Sequence, residues 1–180
     1  MSVIEQQTTT GTWRADKVHS TVGFEVKHMV VSTFRGGFED FDATLTFEDG
    51  EPRVVGTVRS DSIEVRDENL AAHLQSPDFF DSEQHPEIRF ESVATRREGD
   101  ELTVEGDLTI KGVTKRVEAR GAIVDAHDDP VGGTRMGVEL STLVDRTEYG
   151  LKWNQPLPKG GFALAHDVRL VVNLEFVKAE

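Results

Sequence analysis

The stretch HSTVGFEVKHMVVSTFRGGFEDF, residues 19–41, decides the fold. From Ser20 the alternate positions Val22, Phe24, Val26 and His28 share one side, and Glu25 and Lys27 the other. A period of two marks a strand with one buried face. The Gly36-Gly37 pair offers the positive-φ positions that a turn needs, and Phe38, Phe41 and Leu45 carry the apolar pattern onward. The stretch reads as a β-hairpin with an apolar inner face.

The same alternation continues along the chain. Phe41, Ala43, Leu45 and Phe47 alternate with polar residues up to Asp49-Gly50, and Val54, Gly56 and Val58 follow on one face of 53–60. Then the period changes. RDENLAAHLQS, residues 66–76, holds Leu70 and Leu74 at helical spacing, with Asp67 placed to cap the start and Pro77 just past the end. A loop with Phe79, Phe80 and Pro86 comes next. Inward sets follow at Ile88, Phe90, Ser92 and Ala94, then at Leu102, Val104, Gly106, Leu108 and Ile110, then at Val117, Ala119, Gly121 and Ile123. After an acidic turn over 125–133 come Met136, Val138 and Leu140, and finally Val168, Leu170, Val172, Leu174 and Phe176. Eight strands at even spacing with one short helix predict an all-β antiparallel barrel or sandwich. No repeat or linker divides it, so residues 12–178 form a single domain. Residues 1–11 are expected to be a flexible N-terminus, since only Val3 and Ile4 there gain from burial.

What fills the middle is the next question. Ala43, Gly56, Ala94, Gly106, Ala119 and Gly121 put small residues on the inward faces, where a solid core needs volume. An eight-stranded barrel can fill itself or hold one small ligand, and the small residues favour space for a ligand. The competing explanation is that strand glycines mark bends and bulges in a curved sheet. Ten Phe against one Tyr and two Trp suit an apolar cavity, because Phe asks for no hydrogen-bond partner.

Composition excludes other classes. The 180 residues carry a net charge of −13, which repels nucleic-acid phosphates and anionic lipid surfaces. Without cysteine there is no disulfide, thiol nucleophile or thiolate metal site. MSVIEQQTTTGT lacks the basic and apolar regions of a signal peptide, and no run reaches the ~18 apolar residues of a membrane helix. The expectation is a cytoplasmic protein with no stable membrane insertion and no nucleic-acid partner. There is no G-x-S-x-G elbow, phosphate-binding loop, G-x-G-x-x-G or H-E-x-x-H, so no enzyme and no cofactor are expected. Asp125, His127 and Asp129 share parity, but they read as a solvated acidic loop with no fourth ligand, and no metal is expected.

Six blocks then carry a family resemblance. W-x-x-D-x-x-H-S-x-V-x-F-x-V-x-H-M runs from Trp13 to Met29, followed by the G-x-F of Gly36 and Phe38. Leu74-x-Ser76-x-x-Phe79-Phe80-Asp81, His85-Pro86-x-Ile88-x-Phe90-x-Ser92, the run from Gly106 to Thr114, and Arg146-x-x-Tyr149-Gly150 complete the series. In this order they resemble the YceI-like family over nearly the whole chain. The resemblance implies an eight-stranded antiparallel lipocalin-like barrel closed at one end by a helix. It also implies a non-enzymatic binding or transport protein that holds a long isoprenoid-type lipid, often as a homodimer. Tyr149 stands where the family more often has Phe.

Parity and resemblance together nominate the ligand-binding residues. They are Val22, Phe24, Val26, His28, Phe38, Phe41, Leu45, Leu70, Leu74, Phe79, Phe80, Phe90, Gly106, Leu108, Arg146 and Trp153. His28 or Arg146 could meet the polar head of the lipid. The alternatives are a buried imidazole bonded to backbone and an ion pair. A general scavenger of hydrophobic molecules or fatty acids is the competing binding function, and a lipid-modifying enzyme with His28 as base is the more remote one.

Overall fold

Eleven strands and one α-helix organise the computed structural model, which describes residues 10–179. The strands are β1 (Gly11–Ala15), β2 (Thr21–His28), β3 (Ser32–Phe38), β4 (Phe41–Glu48), β5 (Glu51–Arg59) and β6 (Ile63–Glu64). After helix α1 (Glu68–Gln75) come β7 (Glu87–Glu98), β8 (Glu101–Ile110), β9 (Val113–Asp128), β10 (Thr134–Asp145) and β11 (Leu164–Lys178). All pairings are antiparallel, in the order β1-β4-β5-β7-β8-β9-β10-β11, and β1 pairs back onto β11. That last pairing closes an eight-stranded barrel, and the sheet continues from β11 through β2 and β3 to β6. The chain therefore has an all-β antiparallel barrel, one of the two architectures its alternation predicts, in the eight-stranded lipocalin-like form that the family resemblance implies.

Closure uses β11 twice. Residues 176–178 of β11 pair with β1, and 164–173 pair with β2, so β1 and β2 share one position in the wall at different heights. β1 was not recognisable as a strand, because five residues with only Trp13 buried show no alternation. The residues 1–9 of the expected flexible terminus lie outside the described region. β1 begins at Gly11.

Three local expectations are corrected. Gly36 and Gly37 do not form the hairpin turn; they lie inside β3, opposite Phe24 and Gly23. The turn is Met29-Val30, with φ of 54° and 67°. Ala94 does not face inward, because a bulge between Ser92 and Ala94 flips the parity of β7 and leaves Ala94 exposed. The acidic turn is shorter than expected, since β9 continues through Asp128 and only 129–133 turn.

Two apolar clusters fill the barrel unequally. One end is plugged by Trp13, Leu45, Val104, Ile123, Met136 and Phe176, all buried and mutually packed. The other end gathers Phe24, Leu74, Phe79, Leu108, Tyr149 and Leu151 beneath α1 and the loops around it. α1 starts where the sequence placed its cap: Asp67 accepts the amide of Leu70 at 2.8 Å. Its following loop is tied to the wall by Ser60, whose hydroxyl donates to His85 O (2.8 Å) and meets Ser82 Oγ at 3.0 Å.

Candidate ligand-binding cavity

A cavity of about 670 Å³ occupies the end of the barrel opposite the Trp13 plug. That is the size of sites that take drug-sized or larger apolar ligands. Its walls are strand residues whose alternation turns them inward: Val54, Gly56 and Val58 from β5, Leu140 and Val144 from β10, Val168, Leu170 and Val172 from β11. Leu70, His73 and Leu74 of α1 close over them, with Phe79 and Phe80.

Of the nominated residues, fourteen line this cavity: Val22, Phe24, Val26, His28, Phe38, Phe41, Leu70, Leu74, Phe79, Phe80, Phe90, Leu108, Arg146 and Trp153. Two do not. Leu45 belongs to the plug, where it packs with Trp13 directly opposite on β1. Gly106 lies under the ring of Phe90: a β-carbon there would stand 2.6 Å from Phe90 Cε2 and 2.7 Å from Glu91 O. Gly36 does the same for Phe24, whose Cζ would lie 2.5 Å from an added β-carbon. Gly121 serves a close strand approach, since an added β-carbon would overlap the Glu139 carbonyl. These three glycines make room for protein, not ligand. Ala43, Gly56 and Ala119 are the small residues that border the cavity.

A chain of aromatic contacts links the wall to its cover. Phe24 meets Phe34 and Phe38 at centroid separations of 6.2 and 6.0 Å, and Phe38 meets Phe80 at 5.7 Å. His73 stands edge-on to Trp153 at 4.9 Å and to Phe79 at 5.0 Å, while Asp78 bonds its Nε2 at 3.0 Å. His73 was not nominated, although its i+3 relation to Leu70 on α1 put it on the covered face. The β8–β9 turn reinforces the cover, with Lys111 Nζ donating to Pro77 O (2.6 Å) and Gly150 O (3.3 Å).

The two polar candidates have different surroundings. His28 is exposed where the cavity reaches the surface, beside Met29, Ser32, Thr33 and Gln155. It is not a buried imidazole. Arg146 is only 6% exposed, yet among the described residues no carboxylate pairs with it; its donors go to backbone carbonyls. Nε donates to Ala165 O at 2.8 Å, Nη1 to Leu151 O and Trp153 O at 2.6 and 2.9 Å, and Nη2 to Leu164 O at 3.4 Å. Burial pulls its pKa down, against the pull of Asp145. The guanidinium thus pins the loop after Gly150 to the start of β11. Three residues on, Tyr149 is buried with its hydroxyl unpaired, and the same desolvation pushes its pKa up to about 12.

Asp16, His19 and Glu175 bring three ligand-type atoms together at the plugged end. That cluster already holds a cation: Arg135 Nη1 reaches Asp16 (2.8 Å) and Glu175 (2.7 Å), and its Nε reaches Asp129 (2.6 Å). The His19 hydrogen bond and then Arg135 hold the Asp16 carboxyl well below its ordinary range. The arrangement is an ion-pair knot remote from the cavity. Asp125 pairs with Arg97 and Asp129 with Arg135, so the acidic 125–129 stretch is balanced by arginines.

Comparison with known proteins agrees with this geometry. The profile of the YceI-like domain matches residues 13–176. Protein YceI of Escherichia coli O157:H7 is 34% identical over 137 residues, which span 74% of this chain and 72% of that protein. The crystal structure of Campylobacter jejuni YCEI superposes with a TM-score of 0.71 at 25% identity, covering 92% of this chain and 96% of that one. A polyisoprenoid-binding domain from Saccharophagus degradans shares the fold at a TM-score of 0.67 and 10% identity, covering 95% of this chain and all of that domain. No helix among the described residues is long and apolar enough to cross a membrane.

Proposed function

Because the chain belongs to the YceI-like family, we propose that it binds and carries a long isoprenoid-type lipid in its barrel, without chemical conversion. The observation that carries this reading is the cavity itself: about 670 Å³ walled by side chains that are almost all aliphatic or aromatic. Taking a prenyl chain out of water into such walls gains roughly 25 cal/mol for each Å² of apolar surface removed. The polyisoprenoid-binding domain with the same fold supports the ligand class.

The polar groups fix an orientation. His28, Ser32, Thr33 and Gln155 stand together at the mouth, while Val54, Leu140, Val172 and Leu174 line the cavity, Val54, Leu140 and Leu174 being part of the plug cluster. The head therefore belongs at the mouth and the tail runs inward. Arg146 has spent its donors on the loop and contributes to the head site by holding its wall. Among the described residues no carboxylate or hydroxyl hydrogen-bonds the His28 ring, which favours binding over catalysis.

The test is a comparison of tails. A polyprenol, a fatty acid and a matched linear hydrocarbon are titrated against the purified protein, and the polyprenol is extracted afterwards. An isoprenoid carrier binds the polyprenol tightest and returns it unaltered. Equal affinities would make it a general scavenger of apolar molecules, and a converted lipid would make it an enzyme.

A further inference from the structure

We propose that the cavity mouth docks on an anionic lipid bilayer, through an apolar tip made by the β2–β3 turn and the loop before β11. Two separate segments build this tip. In the first, Val30 and Val31 are 70% and 85% exposed; in the second, Phe162 is 54% exposed. They are neighbours in space. Met29 N donates to Ala163 O at 2.8 Å, and a β-carbon on Gly161 would lie 3.7 Å from Val30 Cγ2. Large exposed apolar groups gathered in one place mark an interaction surface.

The turn is held against its own backbone preference. In this three-residue loop between the paired His28 and Ser32, Met29 and Val30 both adopt positive φ, which Asn and Gly take with least strain. For a β-branched residue such a φ is an outlier, and strain of this kind persists at working surfaces. Here it presents valines to solvent where a glycine would serve the hairpin better.

Charge identifies the occupant. The chain carries 33 acidic residues, yet neither 26–38 nor 149–166 contains one. Those two segments hold Lys27, Lys152 and Lys159, with His28 and His166, while Arg35 is already paired with Glu25 at 3.0 Å. A cationic rim around an apolar tip fits anionic headgroups over an acyl interior. The strongly acidic remainder of the barrel is repelled by the same surface, so the molecule docks mouth-down. A second copy is the poorer occupant, because a two-fold contact through this face would set lysines against lysines. The cavity opens at this rim, past His28, Met29 and Ser32, so a docked molecule faces its opening to the membrane. This inference rests on the lipid-carrier reading for its purpose but not for its test.

The experiment uses the full chain with vesicles of phosphatidylcholine, alone or mixed with phosphatidylglycerol. Wild type is expected to float with the mixed vesicles and to be released by salt. Val30, Val31 and Phe162 do not themselves line the cavity, and Val30→Gly, Val31→Ser and Phe162→Ser together should weaken flotation at least about tenfold. Val30→Gly should also raise the thermal midpoint, which separates lost docking from lost folding. Each protein is also titrated in vesicle-free buffer with a fluorescently labelled polyprenol. Retained uptake with no flotation of wild type overturns docking and leaves the carrier reading standing. Flotation without uptake overturns the carrier reading and leaves docking standing. Flotation unchanged in the triple variant, or a variant that only dissociates a dimer, assigns the tip elsewhere and overturns the proposal.

Discussion

The ring of Phe90 on β7 lies across Gly106 on β8, so close that a β-carbon on Gly106 would stand 2.6 Å from Phe90 Cε2. The same device recurs where Phe24 covers Gly36. An aromatic folded over a cross-strand glycine shields backbone that the missing side chain would leave bare, and it holds the ring in one rotamer. Both rings then form part of the cavity wall. In this barrel some inward glycines create space and others use it up, and only their cross-strand neighbours tell the two kinds apart.

Gly106→Ala is therefore expected to displace Phe90 and cost about 1–3 kcal/mol of stability. At Gly121 the obstacle is backbone: the Glu139 carbonyl carbon would lie 2.6 Å and Leu140 Cα 3.0 Å from the new atom. Gly121→Ala should cost about 4 kcal/mol or more. Gly56→Leu, whose nearest neighbour is Asp42 O at an ordinary 3.7 Å, should fold and narrow the cavity. Urea unfolding of the three variants checks the order.

Arg146→Ala should behave as a structural lesion. It leaves the carbonyls of Leu151, Trp153 and Ala165 without their donor inside the protein, at a cost of about 1–3 kcal/mol for each one that stays buried. Affinities for a polyprenol and for a bare hydrocarbon should then fall together. His28→Ala should reduce only the affinity for the ligand with a head, by about 1–3 kcal/mol. Parallel titrations of the two variants with both ligands separate the roles.

Tyr149 has the opposite expectation. Its hydroxyl is buried and unpaired, so removing it takes away a desolvation cost of about 1–3 kcal/mol, partly offset by the small void left behind. Tyr149→Phe should be neutral to stabilising by about 1 kcal/mol in chemical denaturation.

The Arg135 knot sets a pH dependence. The bond to Asp16 raises the pKa of His19 above its ordinary 6.5, so the pair stabilises the fold below that value and loses its contribution as pH climbs through the raised one. The Asp16 and Asp129 carboxyls are lowered, so their contribution is present above the ordinary 3.8 and is lost as pH falls toward their folded values. Stability should be flat between these limits and decline on both sides. His19→Gln should remove the alkaline decline and keep the acid one, which Arg135 still supports. Unfolding midpoints measured across pH show which limb disappears.

Most of the barrel was legible because alternation survives wherever one face is buried and the other wet. The run from Leu102 to Ile110 is the clearest case, with every second residue buried. The helix was legible from its Asp67 cap and its Leu70–Leu74 spacing. What escaped the sequence was set by contacts distant along the chain. β1 is a strand because β4 and β11 pair with it, and without β1 the plug around Trp13 and Leu45 could not be foreseen. The Met29-Val30 turn carries no turn residue, while the adjacent Gly36-Gly37 pair looks like one. A bulge in β7 reversed Ala94, and no periodicity announces a bulge. Arg146 was found by its motif, but its four carbonyl partners depend on where the loop after Gly150 meets β11.

Native mass spectrometry of the wild-type protein and Gly56→Leu, both purified without detergent from a bacterial host and then incubated with a polyprenol, tests the central claim most directly. Wild type should carry a single added mass of an isoprenoid lipid that leaves intact on collisional activation. Gly56→Leu, which narrows the cavity, should show the same folded charge-state distribution with clearly less adduct. If wild type takes up no lipid under these conditions, or if the narrowed variant takes up as much, the cavity is not a lipid site and the carrier function is wrong.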